Sequence, residues 1–205
     1  WSELQAWKFD SKVLDAWVDD DVLFINTQTG IKRIRVDLAE VTSGDIEEIG
    51  VVKHSMGPWA SCTVEGSRAF VSYDGVYLMN GSQVTGPISE AIENYFTGGS
   101  YTLASTKAIY RNKHLWLSIK LTTGSVRSLL DCYLPGQQWR TSDYKICCFC
   151  IFDGDGDKGE LYGGTSDGYV YQLDTGYAST LAVVTKDYPV SADNPFEEVV
   201  IKELW

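Results

Sequence analysis

The chain has 205 residues, 44% of them hydrophobic and 13% aromatic, which is enough apolar material for a sizeable core and too much for a disordered segment. With 17 Lys and Arg against 28 Asp and Glu the net charge is −11, which disfavours a duplex-DNA or anionic-membrane surface because like charges repel. The longest apolar run, Ile146–Phe152, is far too short to span a bilayer, and no signal peptide or lipidation motif is visible.

Read in chain order, Val13–Val18 and Val22–Thr27 alternate as two strands around the acidic turn Asp19-Asp20-Asp21. Gly30 then turns the chain into a third strand, Ile31–Val36. The acidic segment Glu40–Glu48 reads as a connection, and Ile49–Lys53 as the first strand of a next unit, broken at Gly57-Pro58. Ser61–Glu65 and Ala69–Tyr73 form a hairpin through Gly66-Ser67. Ile88–Phe96 reads as the one helix: Pro87 precedes it, Ser89 and Glu90 enrich its start, and Ile88, Ile92, Tyr95 and Phe96 share a face. Three strands follow, Tyr101–Tyr110, His114–Leu121 and Ser128–Leu134, with Arg111-Asn112-Lys113 turning between the first two. The last unit comprises Lys145–Phe152, an acidic glycine loop, Glu160–Gly163 and Tyr169–Asp174. Thr180–Asp187 and Glu197–Trp205 end the chain, and Glu197–Trp205 is expected to close the structure on the sheet containing Val13–Thr27.

One pattern recurs four times: a strand, a tight glycine turn, a strand. It covers Val22–Asp37, Ala69–Gly81, Leu115–Leu134 and Leu161–Gly176, with turn glycines Gly30, Gly75, Gly124 and Gly168 and steps of 45, 49 and 44 residues. A period in the forties built from short strands suits the blades of a β-propeller. The expected fold is all-β, a propeller of four to five blades or an arc of a larger one, with one short helix near 88–96. It forms a single propeller-like domain over 1–205, with units near 12–38, 49–81, 101–134 and 145–176 and closing strands over 180–205. The chain begins at Trp1, and Trp1 and Trp205 read as cut ends of a longer protein.

The strongest chemical candidate is the loop from Asp153 to Glu160. Carboxylates of Asp153, Asp155 and Asp157 alternate with glycines, and Glu160 follows, a pattern that can wrap oxygen ligands around Ca²⁺. Lys158 stands where calcium loops of this kind place glycine, and the twelfth position is Gly164, so the competing reading is a solvated acidic turn. Gly164-Thr165-Ser166-Asp167-Gly168 fits a G-x-S-x-G string, but an alternating strand follows where a nucleophile elbow needs a helix. His54 and His114 read as ordinary strand or loop residues. Asn80-Gly81-Ser82 reads as a turn rather than a glycosylation site. The five cysteines, three of them crowded at Cys147, Cys148 and Cys150, read as reduced, buried, strand-packed thiols. Lys32, Arg33 and Arg35 form a local basic patch.

Three passages together carry a resemblance: Ile49–Phe96, with a strand ending in Asp74-Gly75-Val76-Tyr77 and then Ile88-Ser89 opening a short helix; Tyr110–Ile119, an Asn-Lys hairpin followed by an aromatic strand; and Gly159–Gly176. The chain resembles the propeller-like structural proteins of bacteriophage and prophage virions, of the tail, neck and DNA-stabilising class. The resemblance implies a non-enzymatic assembly or interaction module, located in a virion assembled in a host cytoplasm. Its partners would be other virion proteins or copies of itself in a ring, without duplex nucleic acid, membrane insertion or a catalytic centre. Leu161–Gly176 is also similar to one repeat of quinoprotein and outer-membrane-assembly propellers. A glycan-binding or glycan-cleaving propeller is the third alternative.

Overall fold

The computed structural model describes residues 8–19, 22–35, 46–49, 53–142, 144–152, 159–173 and 183–184. Among the described residues sixteen strands form four antiparallel sheets of four. The first holds β1 (Val13–Asp19), β2 (Val22–Thr27), β3 (Ile31–Arg35) and β4 (Ile46–Glu48); the second β5 (Ser61–Val64), β6 (Ser67–Ser72), β7 (Gly75–Asn80) and β8 (Gln83–Thr85). The third holds β9 (Tyr101–Arg111), β10 (His114–Leu121), β11 (Arg127–Tyr133) and β12 (Gln138–Ser142); the fourth β13 (Ile146–Phe152), β14 (Glu160–Thr165), β15 (Tyr169–Gln172) and β16 (Val183–Val184). Within each sheet every strand pairs with its neighbour in the chain, so each sheet is a simple meander. The four repeat glycines occupy one position throughout, the turn between the second and third strands. At Gly124 and Gly168 the turn requires φ of +89°, where a Cβ would be strained.

Three features depart from the sequence expectations. Ile46–Glu48 is a fourth strand of the first sheet rather than a connection, and Ile49 continues that sheet through its N–H to the Ile31 carbonyl at 3.1 Å. The next sheet therefore starts at Ser61 and not at Ile49. Gln138–Ser142 is a strand that no apolar alternation announces. The expected helix over 88–96 is reduced to a 3₁₀ turn at Glu90–Ile92 and one α turn, α1 (Asn94–Thr97). The residues that would start a longer helix are committed elsewhere. Ile88 donates to the Val76 carbonyl, and the Ser89 hydroxyl accepts from the Val76 N–H, both beside β7 rather than at a helix cap.

The core follows from alternation along strands buried on both faces. On β6 and β7, Ala69, Val71 and Val76 face the third sheet, where they meet Leu115, Leu117, Ile119, Leu130 and Cys132. Phe70, Tyr77 and Met79 point the other way, to Phe24, Ile31 and Ile49 of the first sheet. Cross-strand aromatic pairs support each side: Trp17 stacks on Phe24 at 5.4 Å, and Phe70 on Tyr77 at 5.8 Å. The leading strands β5 and β9 lie side by side, and β13 packs across β9, β10 and β11. β5 and β9 run the same way: Gly57 packs on Ala104, the Trp59 carbonyl accepts from Ala108 at 2.8 Å, and Tyr110 donates to Glu65. The first and second sheets are tied by Asp15, which accepts from Ser61 and Arg68, and by Asn26, whose side chain pairs with the Ser55 backbone. Ser118 ties the third sheet to the fourth by donating to the Ile146 carbonyl. The expected closing strand Glu197–Trp205 lies outside the described residues.

Candidate functional site

Asp153, Asp155 and Asp157 lie outside the described residues. Glu160 opens β14, is exposed, and accepts a hydrogen bond from the Tyr162 hydroxyl. Among the described residues no three His, Cys, Asp or Glu side chains come together as metal ligands. Gly164–Gly168 is the β14–β15 hairpin turn: Thr165 Oγ1 accepts from the Tyr169 N–H at 3.0 Å, and a strand follows. The cysteines divide. Cys132 is buried and Cys62 packs against the same core, and burial pushes both thiols up to about 12. Cys148 and Cys150 are exposed, against the expectation of buried thiols. The basic patch read at Lys32 and Arg33 is already engaged: Lys32 pairs with Asp10 at 3.0 Å, and Arg33 donates to Ser82 at 2.6 Å.

A cleft of about 360 Å³ opens beside the β6–β7 turn, lined by Asp74, Pro87, Ser89, Glu90 and Glu93. Asp74 forms its back wall with Lys53, whose ammonium also bonds the Tyr73 hydroxyl at 2.7 Å and sits 4.0 Å from the Tyr73 ring centre. Burial works against the Lys53 charge, but the bonds to Asp74, Tyr73 and Tyr77 outweigh it, so the amine is held above its ordinary range. Lys53 neutralises the Asp74 carboxylate in the cleft.

The third sheet carries a cluster that no local motif announced. Register places His114 opposite both Arg111 and Tyr133, Trp116 opposite Asp131, and Asp131 opposite Arg140. Directly paired residues share a sheet face, so these side chains stand together on the face turned from the second sheet. His114 Nδ1 and Asp131 Oδ1 are 2.6 Å apart, with Asp131 13% exposed. The imidazole stacks on Trp116 at 6.0 Å and tilts against Tyr133 at 5.3 Å. Burial raises the Asp131 carboxyl above its ordinary range, against the opposing pull of His114 and Arg140. A carboxylate on Nδ1 fixes the ring and leaves Nε2 to face outward. His114 is therefore an anchored, oriented imidazole rather than an idle strand residue. Among the described residues no serine, threonine or cysteine side chain bonds to it.

The same face is basic throughout. Lys107, Arg111, His114, Lys120, Arg127 and Arg140 fall on it by register, and Asp131 is its one acid. In a chain of net charge −11 that is a strong local reversal. Arg127 is used structurally, donating to the Ser105 and Ser118 carbonyls at 3.2 Å. Lys107 lies 5.0 Å over the Trp59 ring, and burial together with Arg127 lowers its amine.

No protein-family model and no curated protein matches the sequence. Solved structures are similar in backbone. The computationally designed Ika4 protein matches at 10% identity and a TM-score of 0.49, over 84% of this chain and 97% of its own. The extracellular domain of a putative one-component system from B. thetaiotaomicron matches at 15% identity and 0.51, over 83% of this chain and 22% of its own. Regucalcin, a calcium-binding protein from Agrobacterium tumefaciens, matches at 11% identity and 0.46, over 84% and 58%. The chain thus spans less than two thirds of the length of the two natural proteins. Identities this low speak to the all-β backbone alone, and none of the three is a virion protein.

Proposed function

We propose that the chain is an arc of a β-propeller that works by contact, as an assembly or interaction module of a phage-like virion. The observation that carries the propeller is the sheet order. Four four-stranded meanders follow one another, with leading strands β5 and β9 side by side and running the same way and β13 packed across the third sheet, an arrangement from which sheets can radiate as blades. The contact role is supported by the two end sheets. Val13 and Val18 of β1 are 44% and 69% exposed, and Ile151 and Phe152 of β13 are 36% and 62% exposed. Apolar surface left open in this way favours association with another protein surface. The virion setting rests on the sequence resemblance.

Two measurements test the reading. Sedimentation velocity should show concentration-dependent association that Val18→Glu with Phe152→Glu abolishes without lowering the melting temperature; a strictly monomeric wild type would remove self-association. Mass spectrometry of density-purified particles from the source culture should find the chain at stoichiometric level. Particles free of it would sink the virion setting.

A further inference from the structure

We propose that the basic face of the third sheet, around His114, is a binding site for an oxyanion, a phosphate or carboxylate group. Its donors are set but unused. His114 Nε2 has no partner among the described residues and is not sealed from solvent, while Nδ1 is anchored to Asp131. Arg140 is exposed and forms no ion pair among the described residues; it stands across from Asp131 in register. Arg111 stands directly across from His114. Its Nε is buried without an acceptor among the described residues. The Trp116 Nε1–H is a second buried donor on the same face without an acceptor among the described residues. A surface this rich in donors, with one acid already committed to the imidazole, lacks acceptors.

An oxyanion supplies them. Guanidinium forks match the paired oxygens of carboxylate and phosphate, and charge-assisted bonds to them are the stronger kind. Asp131 contributes by orientation: it holds Nδ1 and leaves Nε2 for a ligand. The rings of Trp116 and Tyr133 adjoin the imidazole and limit its freedom to turn. The inference stands independently of the virion setting, because it concerns a ligand of this sheet and not the particle around it.

The test is a titration of the full ¹⁵N-labelled chain with inorganic phosphate and, separately, acetate, chloride holding the ionic strength constant. The His114 ring and Trp116 indole resonances should shift saturably with at least one anion. Arg140→Gln with Arg111→Gln should weaken that binding by tenfold or more; Arg140→Gln alone, at an exposed position, should weaken it severalfold with the fold intact. Lys53→Gln, remote from the face, should leave it unchanged. Tighter phosphate binding assigns the site to phosphoryl ligands, and tighter acetate binding to carboxylates. Shifts that stay linear for both anions, or that saturate equally in Arg140→Gln, would overturn the proposal.

Discussion

Gly57 carries no side chain because Ala104 leaves no room for one. A Cβ at Gly57 would lie 2.2 Å from the Ala104 carbonyl oxygen, a backbone atom that cannot swing aside. Gly57→Ala should therefore cost on the order of 1–3 kcal/mol, as overpacking does, and thermal melts would read it; an unchanged melt would mean that this loop does not lie on β9. Asp131 makes a different prediction. Burial raises its carboxyl above 3.8, so the folded state holds the proton more tightly than the unfolded chain. Its contribution to stability is then greatest below the unfolded value and falls as pH rises through 3.8 toward the raised folded value. Relative to Asp131→Asn, the wild type should lose stability as pH rises from below 3.8 through the raised folded value. Urea midpoints across that range measure the gap, and a gap that does not move would mean the carboxyl is not desolvated. The His114 cluster was illegible in the sequence for a geometric reason. Arg111, His114, Asp131 and Arg140 span thirty residues, and only the register of four strands brings them to one face. The glycines, by contrast, act through local turn chemistry, and Gly30, Gly75, Gly124 and Gly168 were readable as turns at equivalent places.

At the scale of elements, strands with regular alternation were legible and those without it were not. Val22–Thr27 and His114–Leu121 were read with the boundaries that the structure has. Gln138–Ser142 offers one aromatic among polar residues and drew no strand reading, and Ile46–Glu48, one apolar residue beside two acids, read as part of a connection. Both are outer strands of their sheets. The helix was over-read because the pattern at Ile88, Ile92 and Phe96 is real, and these residues do reach the core. What the pattern could not show is that Ile88 and Ser89 spend their backbone and hydroxyl on β7. The second sheet makes the element-scale prediction. Phe70 and Val71 are neighbours on β6, point to opposite faces, and are 2% and 0% exposed. Phe70→Ala should cost about 3–5 kcal/mol. Val71→Ala should cost about 2 kcal/mol, from lost methyl burial and the cavity left behind. Denaturant unfolding would separate this from a half-solvated sheet, in which one of the two substitutions would be nearly silent.

For the whole molecule, the packing between sheets is unequal, and stability should be unequal in the same order. Quasi-linear stacks of repeats draw stability from their neighbour interfaces as well as from each unit. The second and third sheets share the larger core cluster, with Leu115, Leu117, Ile119 and Leu130 fully buried in it, and the first sheet joins the second through Phe24, Ile31 and Phe70. The fourth sheet is joined more thinly. Ile146 is buried and its carbonyl is held by Ser118, but Ile151 and Phe152 at the far end of β13 are open, and every residue of β15 is only partly covered. Apolar burial supplies most of the favourable folding free energy, so the fourth sheet should open without the rest. Hydrogen exchange resolves this strand by strand. Amides of β6, β7, β10 and β11 should exchange only through global unfolding, with protection equal to the denaturant-derived stability. Amides of β13 and β15 should exchange through a smaller opening of lower free energy. The Ile146→Ala variant should widen the difference, since it removes the one side chain that anchors β13 in the core while leaving the second and third sheets untouched. Equal protection in all four sheets, with Ile146→Ala lowering all of them together, would mean that the chain folds as one cooperative unit whose fourth sheet is covered more completely than its described side chains account for.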